Sequence, residues 1–93
     1  MKRIITEEKI KQFKKYLCES EKSAVTVDKY IRDACSFLKF TKSGLINKVT
    51  ILSYKEMLGN KYSPTSANSM IAALNALLKF LGWQDFCIKQ FKV

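Results

Sequence analysis

The sequence predicts an all-α domain, a bundle of four helices joined by short connections. Apolar residues recur at spacings of three and four in four separate stretches of the chain, which is the helical period. Only three Gly and one Pro occur in 93 residues, so a sandwich or barrel of many strands is disfavoured. An apolar share of 47% is enough for one core, and the length suits one domain.

The first helix is predicted over about Glu7–Cys18. Thr6 is its predicted N-cap, because a hydroxyl there accepts hydrogen bonds from the free N–H groups of the first turn. Ile5 and Ile10 have the spacing of a hydrophobic staple around this cap. The inward stripe consists of Ile10, Phe13 and Leu17, with Tyr16 at its edge.

The second helix is predicted over about Ala24–Thr41, with Ser23 as N-cap and Gly44 as the stop. Another face of this helix forms a basic ridge, which is a candidate track for backbone phosphates. The apolar stripe consists of Val27, Ile31, Ala34 and Leu38, and the basic ridge of Lys29, Arg32, Ser36 and Lys39.

The third helix is predicted over about Lys48–Leu58. Asn47 is its predicted N-cap, and Gly59 with Asn60 is predicted to end it. The residues expected to face inward are Ile51, Tyr54, Met57 and Leu58.

The fourth helix has the clearest start, because Ser63 is a capping residue and Pro64 suits the first helical position, where no N–H is needed. Gly82 is predicted to end it. The remaining residues, 83–93, are predicted to form a tail that is either a short fifth helical segment or a linker. The apolar face of the fourth helix is almost continuous and consists of Ala67, Met70, Ile71, Leu74, Leu77, Leu78 and Leu81.

The composition argues against several kinds of chemistry. The chain has no His, and its three Cys are widely separated, so neither a metal site nor a cofactor is expected. A net charge of +9 favours polyanionic partners, nucleic acid first and acidic membrane surfaces second. No stretch is apolar enough to span a membrane and the start is not typical of a secretion signal, so we expect a cytoplasmic protein.

The outer face of the fourth helix indicates contact with DNA. It carries small and amide side chains where a solvated face of this lysine-rich chain would carry Lys and Glu. Asn can pair with adenine through two hydrogen bonds, and hydroxyls beside the free N–H groups of a first helical turn can hold a phosphate. A polar face that is merely solvated, or that packs on another helix, has the same spacing. The residues of the face and its flanks are Lys61, Ser63, Thr65, Asn68, Ala72, Asn75 and Lys79.

Two blocks of sequence resemble the N-terminal core-binding domain of the tyrosine recombinases, the phage integrase family. The first, residues 23–33, matches the family's Thr-x-x-x-Tyr-x-x-Asp pattern with Thr26, Tyr30 and Asp33, and Phe37-Leu38-Lys39-Phe40 continues it. The second, residues 62–66 followed by 71–81, is similar to the family's Ser-capped fourth helix with its terminal aromatic residue.

The resemblance implies a SAM-like orthogonal four-helix bundle whose second and fourth helices cross the DNA. This bundle, residues 1–82, would be one half of a clamp around the recombination site, and residues 83–93 would lead towards a catalytic domain that forms the other half. The implied partners are double-stranded DNA, that catalytic domain and other recombinase protomers on the DNA. The residues carried over as DNA contacts are Thr26, Lys29, Arg32, Lys61, Ser63, Thr65, Asn68, Asn75 and Lys79.

Catalysis is not expected from this chain. The family's reaction needs several arginines, a His-bearing motif and a tyrosine nucleophile on the second domain, whereas this chain has two Arg and no His, and its four tyrosines lie in the predicted bundle. Two other functions fit the same composition: a helical protein-interaction adaptor of SAM-like or death-type architecture, and a membrane-surface or regulatory protein that uses its lysines non-specifically.

Overall fold

The computed structural model describes residues 3–42 and 45–92, and it confirms the all-α bundle. The short strands β1 and β2 pair antiparallel, with Arg3 opposite Ile46 and Ile4 opposite Leu45. Sequence periodicity did not predict these strands, because two residues are too few to show an alternation. In chain order the elements are β1 (Arg3–Ile4), α1 (Glu7–Glu19), α2 (Ala24–Thr41), β2 (Leu45–Ile46), α3 (Lys48–Lys61), α4 (Pro64–Phe80) and a 3₁₀ turn (Gln84–Phe86).

The predicted starts of all four helices are confirmed by their N-caps. The side chain of each capping residue accepts a hydrogen bond from the backbone N–H three residues later, which supplies one of the acceptors that a first turn lacks. The capping residues are Thr6, Ser23, Asn47 and Ser63. Gly44, the predicted stop of α2, lies outside the described residues.

The predicted end of α3 is wrong. The helix continues through Gly59 and Asn60 to Lys61, so Gly59 is helical and does not act as a stop. A Cβ atom placed on Gly59 would lie 2.8 Å from Cζ of Phe91, which comes from the C-terminal end of the chain. The small residue is therefore needed for close packing between distant segments, a reason that the local sequence does not contain.

The core lies where α2 and α4 pack against each other, with α1 and α3 completing the bundle. Phe37 and Tyr54 meet edge to face at 4.8 Å between ring centroids, and both are almost fully buried. Leu74, Leu77 and Leu78 of α4 are buried as predicted. Among residues 3–42 and 45–92, none of the helices has the length and apolar character of a membrane span.

Candidate nucleic-acid interface

A groove of about 700 Å³ opens between α4 and the turn that joins α1 to α2. The small residues Ala72 and Ala76 of α4 line it, together with the ring of Tyr16. Lys22 and Lys79 bring positive charge to it from the turn and from α4, and no carboxylate side chain is among the described residues that line it. A groove with small side chains and two cations suits a phosphate backbone that approaches a helix closely.

Tyr30, another lining residue of the groove, lies beside two lysines. The Nζ atoms of Lys22 and Lys29 each lie 5.9 Å from the centroid of the Tyr30 ring, within the range of a cation–π contact. Lys22 and Lys79 are exposed, and neither forms an ion pair with a carboxylate in the part of the chain that the structure describes. Both ammonium groups are therefore available to an anionic partner.

Lys29, predicted as a DNA contact, is half-buried and directed towards Asp33 and α4. Its Nζ lies 2.5 Å from Oδ2 of Asp33 and donates to the carbonyl of Ser69 at 3.3 Å, so it joins α2 to α4. Asp33 is only 8% exposed, and Lys29 is its salt-bridge partner. The ammonium group of Lys29 is engaged in holding the bundle together, whereas Arg32 and Lys39 on the same predicted ridge are exposed.

At the start of α4, not all of the hydroxyl and N–H groups predicted to hold a phosphate are free. The Ser63 hydroxyl accepts from the Ser66 N–H at 3.4 Å as the N-cap, while Lys61 and Thr65 are exposed. Thr26, at the start of α2, is half-buried and accepts at 2.9 Å from the Ser23 hydroxyl. Among these predicted contacts, Lys61, Ser63 and Thr65 are exposed, and Thr26 is less accessible.

Asn68 and Asn75 are both engaged by the end of the chain. We call residues 87–92 the C-terminal strap. Asn75 Oδ1 accepts from the Ile88 N–H at 3.0 Å, and its Nδ2 donates to the Ile88 carbonyl at 2.8 Å. Asn68 repeats the arrangement with Phe91, at 2.7 Å to its N–H and 2.9 Å to its carbonyl. A bidentate contact of either amide with adenine would require the strap to leave α4.

The 3₁₀ turn that leads into the strap is anchored to the start of the chain. The Arg3 guanidinium donates to both carboxylate oxygens of Asp85, at 2.8 and 2.9 Å. This hydrogen bonding holds the pKa of Asp85 below its usual value. Arg3 also lies 4.3 Å from the centroid of the Phe86 ring, so β1 and the root of the strap are joined by two kinds of contact.

Sequence reasoning missed the residues that α1 and the α1–α2 turn contribute to the groove, Tyr16 and Lys22. Tyr16 was interpreted only as the edge of an apolar stripe, and Lys22 was given no role. Their proximity to Lys79 depends on how α1 and α2 pack on α4, about sixty residues away in the chain. The local sequence around each residue does not predict this proximity.

No group of three or more potential metal-ligating side chains occurs among residues 3–42 and 45–92. Within that part of the chain, the features that could recognise a partner are therefore the cationic groove and the C-terminal strap, and there is no metal cluster.

A sequence model of one protein family, described as phage integrase, N-terminal SAM-like domain, matches residues 10–85. The match covers α1 to α4 and the 3₁₀ turn almost completely, and it ends just before the strap. Comparisons with curated proteins and with solved structures found no match.

Proposed function

The chain belongs to the phage integrase N-terminal SAM-like domain family, and on this premise we propose that it is the DNA-binding, non-catalytic part of a tyrosine recombinase that holds duplex DNA at its recombination site. The observation that carries the proposal is the groove beside α4, which combines small lining residues with the exposed cations Lys22 and Lys79. A net charge of +9 supports a polyanionic partner.

The mechanism of binding follows from the positions of these charges. Lysines that approach phosphates release condensed counterions, so affinity arises largely from the phosphate backbone and falls with salt. The small side chains Ala72 and Ala76 let the sugar-phosphate backbone approach α4, while exposed Thr65, Lys61, Arg32 and Lys39 are proposed to contact it on either side. These contacts position the duplex and carry little sequence information.

Base recognition by α4 has a smaller part in the proposed binding than the sequence predicts. Asn68 and Asn75 were the two side chains expected to pair with adenine, and both amides are occupied by the strap. We propose that a second domain of the recombinase grips the same duplex and contributes the catalytic residues. Two weak grips on one DNA reinforce each other through effective concentration, so the isolated domain needs only modest affinity.

A titration of a short fluorescein-labelled duplex, read as fluorescence anisotropy over a salt series, tests the proposal. The wild-type chain is expected to bind with a steep negative slope of log affinity against log salt. Replacing Lys22 and Lys79 together by Ala should lower the magnitude of the slope by about 2, since each phosphate contact contributes about 0.9. The matched control replaces Lys11 and Lys14 of α1, which are exposed and do not line the groove.

The outcomes separate DNA binding from the adaptor alternative. Equal slopes for the groove pair and the control pair would show that the groove is not the contact surface. Absence of duplex binding by the wild-type chain, even in dilute salt, would contradict the proposed function and favour a protein partner instead.

A further inference from the structure

The C-terminal strap repeats its contacts with α4 every three residues. Ile88 and Phe91 pair with the side-chain amides of Asn75 and Asn68. The residue before each of them also contacts the same asparagine. The Cys87 thiol donates to the backbone carbonyl of Asn75 at 3.7 Å, and Nε2 of Gln90 donates to that of Asn68 at 3.3 Å. Two successive tripeptides, 87–89 and 90–92, are thus held in the same way by positions seven residues apart on α4.

A three-residue repeat is the period of a polyproline II helix, whereas a β-strand repeats every two residues. Cys87 has φ −61° and ψ 146°, which is the polyproline II region. Three residues of such a helix advance roughly 9.3 Å, and seven residues of α4 advance about 10.5 Å. The two rises agree closely enough for both asparagines to be engaged together.

The third position of each tripeptide is a lysine. Lys89 and Lys92 are both exposed, while Ile88 is buried and Phe91 packs against Gly59 of α3. The threefold repeat places the two lysines on one side of the strap, roughly 9 Å apart along it. Neither forms an ion pair with a carboxylate among the described residues.

The strap covers part of α4, and such a segment can either compete with DNA or help to bind it. The charge of the strap distinguishes these two roles. A cover that competes with DNA would be stabilised by carrying negative charge opposite the cationic groove. The strap instead carries two lysines and no acidic residue, and its Gln90 lines the same groove as Lys22 and Lys79. It therefore adds to the positive potential of the surface.

We propose that the C-terminal strap is a second phosphate-binding element, in which Lys89 and Lys92 contact the duplex backbone and Asn68 and Asn75 are positioning residues that hold the strap in place. This inference rests on the proposed function, because it names further contacts to the same DNA. It concerns residues 87–92, which lie beyond the residues 10–85 that match the family.

The test uses the duplex titration with two sets of variants. Replacing Lys89 and Lys92 together by Ala is expected to lower the magnitude of the salt slope by about 2, and by clearly more than the Lys11 and Lys14 control pair. Asn68→Leu is expected to lower it by about 1, because the Phe91 end of the strap and Lys92 are then no longer held. In a chain that already lacks both strap lysines, Asn68→Leu should produce no further change.

Amide hydrogen exchange supplies a readout of the clamp that does not depend on DNA. The Phe91 N–H should exchange slowly in the wild-type chain and rapidly in Asn68→Leu, whereas core amides of α4 keep their protection if the variant is folded. The lysine variants change exposed side chains, so they test the proposal even if Asn68→Leu does not fold.

Each result has a distinct meaning. Tighter DNA binding by Asn68→Leu would show that the strap is a cover and would overturn the inference. Unchanged slopes in the strap lysine variants, with normal binding by the wild-type chain, would also overturn it while leaving the proposed function intact. A wild-type chain that binds no duplex would instead refute the proposed function on which the inference rests.

Discussion

The two edges of the outer face of α4 have different uses. On the edge towards α1 and α2, Ala72, Ala76 and Lys79 line an open cationic groove. On the edge towards α3, Asn68 and Asn75 each form a pair of hydrogen bonds with the backbone of the strap, and Asn75 also borders the groove. Helical spacing places all five residues on one side of α4, yet the strap occupies the side-chain amides of the second edge.

The difference shows why an amide on a helix surface is an ambiguous signal. Adenine offers a donor and an acceptor side by side in the major groove, and Asn matches them. The N–H and C=O of one residue in an extended segment offer the same pair of groups, so Asn matches those equally well. The side chain suits both partners, and the one that packing brings close determines which contact forms.

The largest expected effect lies on the strap edge. Asn75→Leu removes both hydrogen bonds to the backbone of the buried residue Ile88 and should lower the free energy of unfolding by about 2–3 kcal/mol. Lys79→Leu is the matched control on the groove edge and should stay within about 0.5 kcal/mol of wild type. Urea denaturation measures both. Equal stabilities would mean that the strap contributes nothing to the fold.

A smaller effect is expected between α2 and α4, where Lys29 joins the two helices. Lys29→Met leaves the buried Asp33 carboxylate without its partner and should cost about 1–2 kcal/mol of unfolding free energy. Adding Asp33→Asn should restore part of the loss, because the unpaired charge is removed. Arg32→Met, which changes an exposed residue of the same predicted ridge, is the control. If Arg32→Met lowers the free energy of unfolding as much as Lys29→Met does, the stabilising role of Lys29 is contradicted.

The smallest effect concerns the root of the strap and depends on pH. Because Arg3 lowers the pKa of Asp85 in the folded chain, the ion pair stabilises the fold above the ordinary Asp pKa of about 3.8 and this contribution is lost as pH falls through the lowered value. The melting temperature of the wild-type chain should therefore fall more steeply than that of Asp85→Asn between about pH 5 and pH 3. Parallel curves would show that the ion pair does not stabilise the folded chain.

Much of the fold was predictable because its signals are local. Thr6, Ser23, Asn47 and Ser63 cap their helices through hydrogen bonds that span three residues, and such short-range geometry is readable from the chain. The leucines of α4 are buried as their spacing indicates, since a helix of this composition has one apolar side. The family was recognisable for the same reason, because its two blocks lie within single helices.

The candidate site was predictable only in part. Lys79 lies on an open surface as expected, while Lys29 turns inward to Asp33 and Ser69. A lysine on a ridge has four flexible carbons, and its direction depends on which acceptor lies within reach. The acceptor on Ser69 belongs to a helix forty residues away, so the sequence of α2 does not reveal it.

The local sequence was thus sufficient for the helices, their starts, the buried stripes and the excess of positive charge, because each depends on the order of neighbouring residues or on composition. Tertiary packing alone decided the roles of Gly59, Asn68 and Asn75, since each depends on a strap that returns from the end of the chain to lie against α3 and α4. Donors and acceptors on a helix surface are satisfied by whatever the fold brings within hydrogen-bonding distance, and that proximity is a property of the whole chain.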